Sequence, residues 1–343
     1  RSIHYNSVYL PSIDLFSALG MALIIWYGGG KLVQDQIQLG VLVAFLQYLQ
    51  KFFEPVRDLA EKFNIIQTAI ASAERTFELL DTPEDLCDSP NPLAVKQVRG
   101  DVVFRNMWFG YKKDEYVLKD ISFSLSEGES LAIVGATGAG KSSLVNALCR
   151  FYEFSKGDIL LDGVSIHKMS KYDVRRQIAI VQQDVFLFSG NILDNIRLGN
   201  SDLSSEYIES ISKSVNLNTF VDRLPDKYNH NIKERGSVLS LGQKQLLSFA
   251  RALVAEPRIL VLDEATSSID TETERHIQNG IKALIRGRTS IIIAHRLSTL
   301  KYVDKILVLK EGQVKEYGEQ RELLQNKGVY WKLCNLQAGN GIK

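Results

Sequence analysis

The fold of this 343-residue chain is decided by the stretch Gly135-Ala136-Thr137-Gly138-Ala139-Gly140-Lys141-Ser142. The stretch fits the pattern G-x-x-x-x-G-K-[ST]. The five residues before it, 130–134, are typical of a short buried strand, and residues 143–150 repeat apolar side chains at helical spacing. A strand, a glycine-rich loop and a helix in this order predict an α/β domain.

The composition of this loop predicts an anion site. Its glycines let the backbone turn N–H groups toward an anion, and the N-terminus of the following helix adds partial positive charge. Lys141 can reach the β- and γ-phosphates of a nucleotide, and Ser142 can hold Mg²⁺. The alternative is a chance glycine-rich turn, which the flanking strand and helix disfavour.

The overall composition bounds the class of protein. Lysine and arginine total 41 against 40 acidic residues, so the chain lacks the excess of positive charge that is typical of nucleic-acid binding. The three cysteines, Cys87, Cys149 and Cys334, lie far apart, without metal-ligand spacing and without the pattern of a disulfide framework. We therefore expect most of the chain to lie in the cytosol.

An apolar stretch, residues 8–27, opens the chain and has Asp14 as its only charge. Its length suits a bilayer crossing, which takes about 20 residues, and Trp26 and Tyr27 are typical of a membrane interface. Gly28-Gly29-Gly30 is predicted to break this helix.

A second apolar run starts at Leu39, and helical spacing continues to Leu80. We expect one very long helix with a kink at Pro55. The alternative for both runs is a buried helical hairpin in a soluble protein. If they cross a membrane, Asp14, Gln47 and Gln50 should face a bundle interior or a water-filled path.

Carboxylates end a predicted strand in the second half of the chain. Residues 259–264 read as a buried parallel strand that ends in Asp263 and Glu264, which can hold Mg²⁺ and polarise a water molecule. Another apolar strand, 289–294, is followed by His295, for which a structural and a catalytic role remain equally open.

Two other features suit both a structural and a functional interpretation. Ser240 with Gln243 three residues later predicts a capping box at the start of a helix that runs to about Ala255, and that helix N-terminus is also an anion site. Tyr111, about 25 residues before the loop, could stack on a base or belong to the core.

Taken together, these motifs resemble the nucleotide-binding domain of ATP-binding cassette (ABC) proteins. They occur in the family's order and cover about residues 98–338. The N-terminal part looks like the last two membrane helices of an exporter-type half-transporter, of the multidrug and lipid exporter kind. The motifs are the phosphate loop 135–142, Gln183, the signature 239–243, the strand with Glu264, the segment Ser268-Ile269-Asp270, and His295.

The resemblance implies a fold and a domain organisation. We expect an α/β P-loop ATPase with a mixed sheet core, an antiparallel β subdomain and a helical signature subdomain, preceded by an all-α membrane segment. The expected divisions are a membrane part at 1–82, a linker at 83–97, the ATPase at 98–338 and a tail at 339–343.

The resemblance also implies roles for individual residues. Three residues would be catalytic: Glu264 as the general base, His295 in contact with the γ-phosphate, and Gln183. Mg²⁺ would be placed by Ser142, Gln183 and Asp263. Asp270 would communicate between two sites. The residues expected to bind ATP are Tyr111 on the adenine, then Gly135, Thr137, Gly138, Ala139, Gly140, Lys141, Ser142 and Ser143, and, toward a partner's nucleotide, Ser240, Gly242 and Gln243.

Further expectations concern partners and location. The chain would be a multi-pass cell-membrane protein with its ATPase in the cytoplasm, in contact with lipid, a second half-transporter and a transported substrate of open identity, and without nucleic acid. A soluble ABC ATPase and a regulatory domain without turnover are the alternatives.

Two departures from the family pattern matter. The signature reads LSLGQ, with Leu241 where glycine is usual, and this favours a heterodimer slightly over a homodimer. Only two candidate spans are present where a half-transporter of this type has six.

Overall fold

The structure, a computed structural model, describes residues 2–82, 88–93, 95, 98–200, 202–263, 271–294 and 299–337. Two compact units, residues 1–84 and 85–343, make up the chain. The first unit consists of the helices α1 (Ser2–Val33) and α2 (Leu39–Asp81), joined by a short turn.

The three consecutive glycines do not break α1, so that prediction is wrong. The helix continues through Gly28 to Val33. A Cβ atom at Gly28 would lie 2.5 Å from a methyl carbon of Leu42, so the Leu42 side chain would have to move to make room for it. Here a glycine allows α1 and α2 to pack closely rather than ending the helix.

Helix α2 is one continuous element of 43 residues, as predicted, and would extend about 65 Å. Pro55 lies inside it. Within the described residues, one helical segment is long and apolar enough to cross a membrane, Pro11–Val33, with a mean hydropathy of 1.4. The second predicted span, in α2, does not meet that criterion.

A charged pair joins α1 to α2. Arg57 donates to the carboxylate of Asp14, and the two side chains are 53% and 61% exposed, respectively. The single charge of the first apolar stretch is thus neutralised by the neighbouring helix.

The second unit contains two sheets, in agreement with the predicted mixed and antiparallel architecture. The antiparallel sheet has the order β2-β1-β4-β5, and the larger sheet has the order β10-β9-β3-β8-β7-β6. In the larger sheet, β9, β3, β8, β7 and β6 run parallel and β10 is antiparallel. The strands are β1 (Val102–Phe109), β2 (Leu118–Leu125), β3 (Ser130–Val134), β4 (Lys156–Leu161), β5 (Val164–Ser165), β6 (Ile178–Val181), β7 (Ile259–Asp263), β8 (Thr289–Ile293), β9 (Lys305–Lys310) and β10 (Gln313–Gly318).

Helices surround these sheets and complete separate cores. The core under the antiparallel sheet includes α3, and a second core joins α5 to α9 on β6, β7 and β8. The helices of this unit are α3 (Lys141–Leu148), α4 (Lys171–Gln177), α5 (Ile192–Arg197), α6 (Ser205–Ser214), α7 (Asn218–Val221), α8 (Leu241–Val254), α9 (Thr271–Ile285), α10 (Gln320–Gln325) and α11 (Val329–Gln337).

Candidate nucleotide site

The predicted glycine-rich loop joins β3 to α3. Gly140 caps the N-terminus of α3 with φ 102° and ψ 10°, a left-handed conformation that favours glycine. A Cβ atom there would lie 2.6 Å from a methyl carbon of Leu118. The loop is closed by the Ala139 N–H, which donates to the Ala136 carbonyl at 3.1 Å. This tight turn places the start of α3 at the carboxyl edge of the larger sheet.

Lys141 lies buried at the first position of α3. Its ammonium donates to the carbonyls of Gly135 at 2.9 Å and Ala136 at 3.0 Å. Burial lowers the pKa of Lys141, and the negative charge of Asp263 partly opposes this change. Because the first-turn amides of a helix have no intrahelical partners, they and the ammonium together form a positively charged anion cradle.

The carboxyl ends of neighbouring parallel strands bring further predicted residues to the same edge. Asp263 ends β7 and pairs in register with Ile293 of β8. Gln183 follows β6 by two residues and is exposed. Since β3, β8, β7 and β6 are parallel neighbours, the phosphate loop, Asp263 and Gln183 all lie at the same ends of their strands.

The predicted metal ligands suit a hard cation. Ser142, Gln183 and Asp263 supply a hydroxyl, an amide and a carboxylate oxygen, the donors that Mg²⁺ prefers. Ser142 and Gln183 are exposed, so both side chains are accessible to an ion. Among the described residues there is no cluster of three or more histidine, cysteine or acidic side chains that could hold a metal by themselves.

Tyr111 lies beside the phosphate loop. Its hydroxyl is 3.1 Å from the Ser143 hydroxyl, and its ring packs edge-to-face on Phe109. The side chain is 48% exposed, so much of it is open to a ligand. The structure therefore places Tyr111 next to Ser143, at the start of the helix that follows the phosphate loop.

The signature residues form the predicted capping box at the N-terminus of α8. Ser240 Oγ accepts from Gln243 N at 3.3 Å, and Gln243 Oε1 accepts from Ser240 N at 2.9 Å. Gly242 is buried and Leu241 is 45% exposed. Within the described part of the chain, the assigned hydrogen bonds of Ser240 and Gln243 do not reach the phosphate loop.

Several predicted residues lie outside the described residues. These are the expected general base Glu264, the segment Ser268-Ile269-Asp270, and His295. Their neighbours Asp263 and Ala294 are placed at the carboxyl edge of the sheet, and Ala294 N donates to Ile133 O at 3.2 Å. The roles of the five residues remain predictions.

A buried polar side chain that the sequence analysis did not predict lies beside the segment after Gln183. Asn195 on α5 is 2% exposed and bonds to both the N–H and the C=O of Phe188. Arg251 on α8 donates to Asn195 and to the carbonyl of Phe186 at 2.9 Å. The only available signal is that polar side chains occur at helical positions that otherwise face the core.

Comparison with known proteins identifies the family. Residues 118–267 match the family model described as ABC transporter, a range that includes the phosphate loop, the signature and Asp263. These residues form an ABC transporter domain. An ABC transporter domain of this kind implies ATP binding.

Similar ABC transporter proteins extend this result. An uncharacterized ABC transporter ATP-binding protein of Bacillus subtilis, YknV, is 42% identical over 98% of this chain and 56% of its own length. A probable multidrug resistance ABC transporter ATP-binding/permease protein of the same organism, YheH, is 41% identical over 99% of this chain and 50% of its own length. The chain thus spans about half the length of the curated relatives it matches.

A solved structure of an ABC exporter has the same fold. It is described as a bacterial Atm1-family ABC exporter with ATP bound, and the match has a TM-score of 0.72 and 36% identity. The match covers 96% of this chain and 57% of that one. These similarities associate the chain with membrane ABC exporters.

Proposed function

We propose that this chain is the ATP-binding and ATP-hydrolysing part of an ABC exporter, which couples hydrolysis to transport across a membrane. One observation supports this most strongly: the anion cradle around Lys141 lies at the same sheet edge as Asp263 and Gln183. That arrangement supports a site in which phosphate-binding and metal-binding groups act together, as phosphoryl transfer requires.

The reaction is in-line transfer of the γ-phosphoryl group to water. Loop amides and Lys141 hold the β- and γ-phosphates, and Tyr111 stacks on adenine. Mg²⁺, held by Ser142, Gln183 and Asp263, would neutralise charge on the phosphates. Glu264 takes the proton of the attacking water and His295 contacts the γ-phosphate. Catalysis then rests on positioning and on charge stabilisation.

The decisive experiment compares ATP binding with ATP hydrolysis in the purified membrane protein. Glu264→Gln should retain ATP binding and lose hydrolysis by at least two orders of magnitude, in keeping with loss of a general base. Glu311→Gln is a matched control, because Glu311 is highly exposed on the turn between β9 and β10. Hydrolysis that persists in Glu264→Gln would overturn the assignment of the base.

The proposed location is the cell membrane, with several spans and the ATPase in the cytoplasm. The apolar segment Pro11–Val33 and the membrane ABC exporters among the relatives support it. A protein of this kind should stay in the membrane fraction after alkaline or high-salt washing. Release by salt would favour the alternative, a soluble ABC ATPase.

The proposed partner is a second half-transporter, and Leu241 favours a non-identical one. Its side chain projects at the helix N-terminus where the family has glycine, beside the residues expected to serve the partner's nucleotide. In that heterodimer, this chain's phosphate loop and Glu264 would form the competent site with the partner's signature.

Native mass spectrometry of the complex distinguishes the two assemblies. A second, different chain supports the heterodimer, and two identical chains contradict it. In the heterodimer, Leu241→Gly should leave the ATPase rate almost unchanged, because this signature would serve the weaker site. A large rise in that rate would refute the asymmetry.

A further inference from the structure

The hydroxyl of Tyr111 is bound by two side chains of α3. The Tyr111 Oη atom lies 3.1 Å from Ser143 Oγ, and Asn146 Nδ2 donates to the same oxygen at 3.1 Å. Ser143 and Asn146 are three residues apart, so they face the same side of the helix. The helix that begins at the phosphate loop therefore also holds the aromatic side chain next to it.

The ring of Tyr111 is restrained as well. It meets Phe109 edge-to-face with centroids 4.9 Å apart, and it meets Tyr152 at 5.0 Å with an interplanar angle of 90°. Edge-to-face packing of this kind favours one ring orientation. About half of the side chain nevertheless remains exposed, so the restrained ring can still receive a flat ligand.

We propose that Asn146 is a positioning residue for the base of the bound nucleotide, acting through the hydroxyl of Tyr111. This rests on the proposed function, in which Tyr111 stacks on adenine. A ring that is already oriented loses less freedom when the base binds, and affinity rises because that cost is reduced. Asn146 would thus contribute to base binding without touching the nucleotide.

A substitution of Asn146 tests the positioning of the base more selectively than a substitution of Ser143 does. Ser143 is itself expected to contact the phosphates, so its removal would disturb both parts of the site. The Asn146 amide instead donates to Tyr111 from the second turn of α3. Loss of Asn146 should therefore weaken the binding of ligands that have a base and spare ligands that consist of phosphate alone.

The test uses the full chain in detergent with a fluorescent methylanthraniloyl ATP. Asn146→Ala should raise its dissociation constant about 2- to 10-fold, as expected for one lost hydrogen bond. Tyr111→Phe should have an effect at least as large, because it also removes the contact with Ser143. The double variant should be no weaker than the weaker single one, because both changes remove the same bond.

Inorganic tripolyphosphate, which has no base, provides the second measurement. Its ability to displace the fluorescent nucleotide should give the same inhibition constant in the wild type and in all three variants. Tyr172→Phe is the matched control for a lost phenol hydroxyl, since Tyr172 is highly exposed on α4. This control should bind both ligands as the wild type does.

Three results would overturn the proposal: unchanged nucleotide affinity in Asn146→Ala, fully additive losses in the double variant, or an equal loss for tripolyphosphate. If Asn146→Ala does not fold, Tyr111→Phe removes the same bond, together with the contact to Ser143, without leaving a large cavity, and unchanged nucleotide affinity there is equally decisive. A wild-type chain that fails to bind the nucleotide would instead refute the proposed function itself.

Discussion

Arg251 and Asn195, 56 residues apart in sequence, form a double contact between α8 and α5. The Arg251 Nε atom donates to the Asn195 carbonyl at 2.9 Å, and Nη2 donates to the Asn195 side-chain oxygen at 3.1 Å. The same Asn195 amide holds Phe188 in the segment after Gln183. Helix α8 and the segment after Gln183 are therefore joined by one partly buried polar network.

Removal of the Asn195 amide should destabilise the protein. In Asn195→Ala the N–H and the C=O of Phe188 lose their partners, at a cost of about 2–3 kcal/mol in the free energy of unfolding. Urea unfolding measures this difference. Asn200→Ala, in an exposed loop, should change the unfolding free energy by less than about 1 kcal/mol. Equal losses of unfolding free energy in the two variants would show that the bonds of Asn195 do not stabilise the protein.

The capping box at the N-terminus of α8 predicts different losses of stability for two substitutions of Ser240. Ser240→Ala should reduce the unfolding free energy by about 1 kcal/mol, whereas Ser240→Gly should reduce it by only a few tenths. The thermal midpoint of the protein without nucleotide measures both. Ser210→Ala, on the exposed face of α6, is the control. If Ser240→Ala left the thermal midpoint unchanged, the hydroxyl would not be acting as a cap.

Lys141 should reduce the stability of the protein when no nucleotide is bound. Burial lowers its pKa in the folded state below the unfolded value of 10.5, so the folded state binds fewer protons just below pH 10.5. Lys141→Met should therefore be more stable than the wild type at pH 7, and this advantage should shrink as the pH rises toward 10. Thermal midpoints across that range provide the measurement.

The control for this experiment is Lys310→Met, since the Lys310 side chain is largely exposed on β9. It should show no comparable dependence on pH. A Lys141→Met variant that is less stable at every pH would mean that the bonds to Gly135 and Ala136 outweigh the cost of burial.

The Asp14–Arg57 pair predicts that exchanging the two charges restores folding that a single substitution impairs. Asp14→Arg alone places two like charges together and should lower the yield of folded protein in the membrane. Asp14→Arg combined with Arg57→Asp restores opposite charges and should recover that yield. Size-exclusion chromatography of a fluorescently tagged protein measures it. A double variant no better than the single one would show that the pair does not hold α1 to α2.

Local patterns in the sequence predicted a large part of the site. The strand, loop and helix around Lys141 and the capping box of Ser240 with Gln243 are confirmed, because each depends on residues close together in the chain. The parallel strand ending at Asp263 is likewise confirmed, since an apolar run followed by carboxylates is a local signal.

Other features depend on contacts that a local pattern does not contain. The prediction of a helix break at Gly28 was wrong because close packing on Leu42, rather than backbone freedom, explains the glycine. Asn195 and Asn146 were missed because their partners lie on other elements of the fold. An asparagine on a helix gives no sign of whether it faces water or a distant carbonyl.

The strand order of the larger sheet links two charged groups of the site. Strand β8 lies between β3 and β7, so the backbones of the loop that follows β3 and of the residue that ends β7 are separated by two strand spacings, about 10 Å. The negative charge of Asp263 nevertheless acts on the Lys141 ammonium, where it partly opposes the lowering of the pKa. The two residues are therefore electrostatically coupled across β8, and a neutral side chain at position 263 would lower the pKa of Lys141 further.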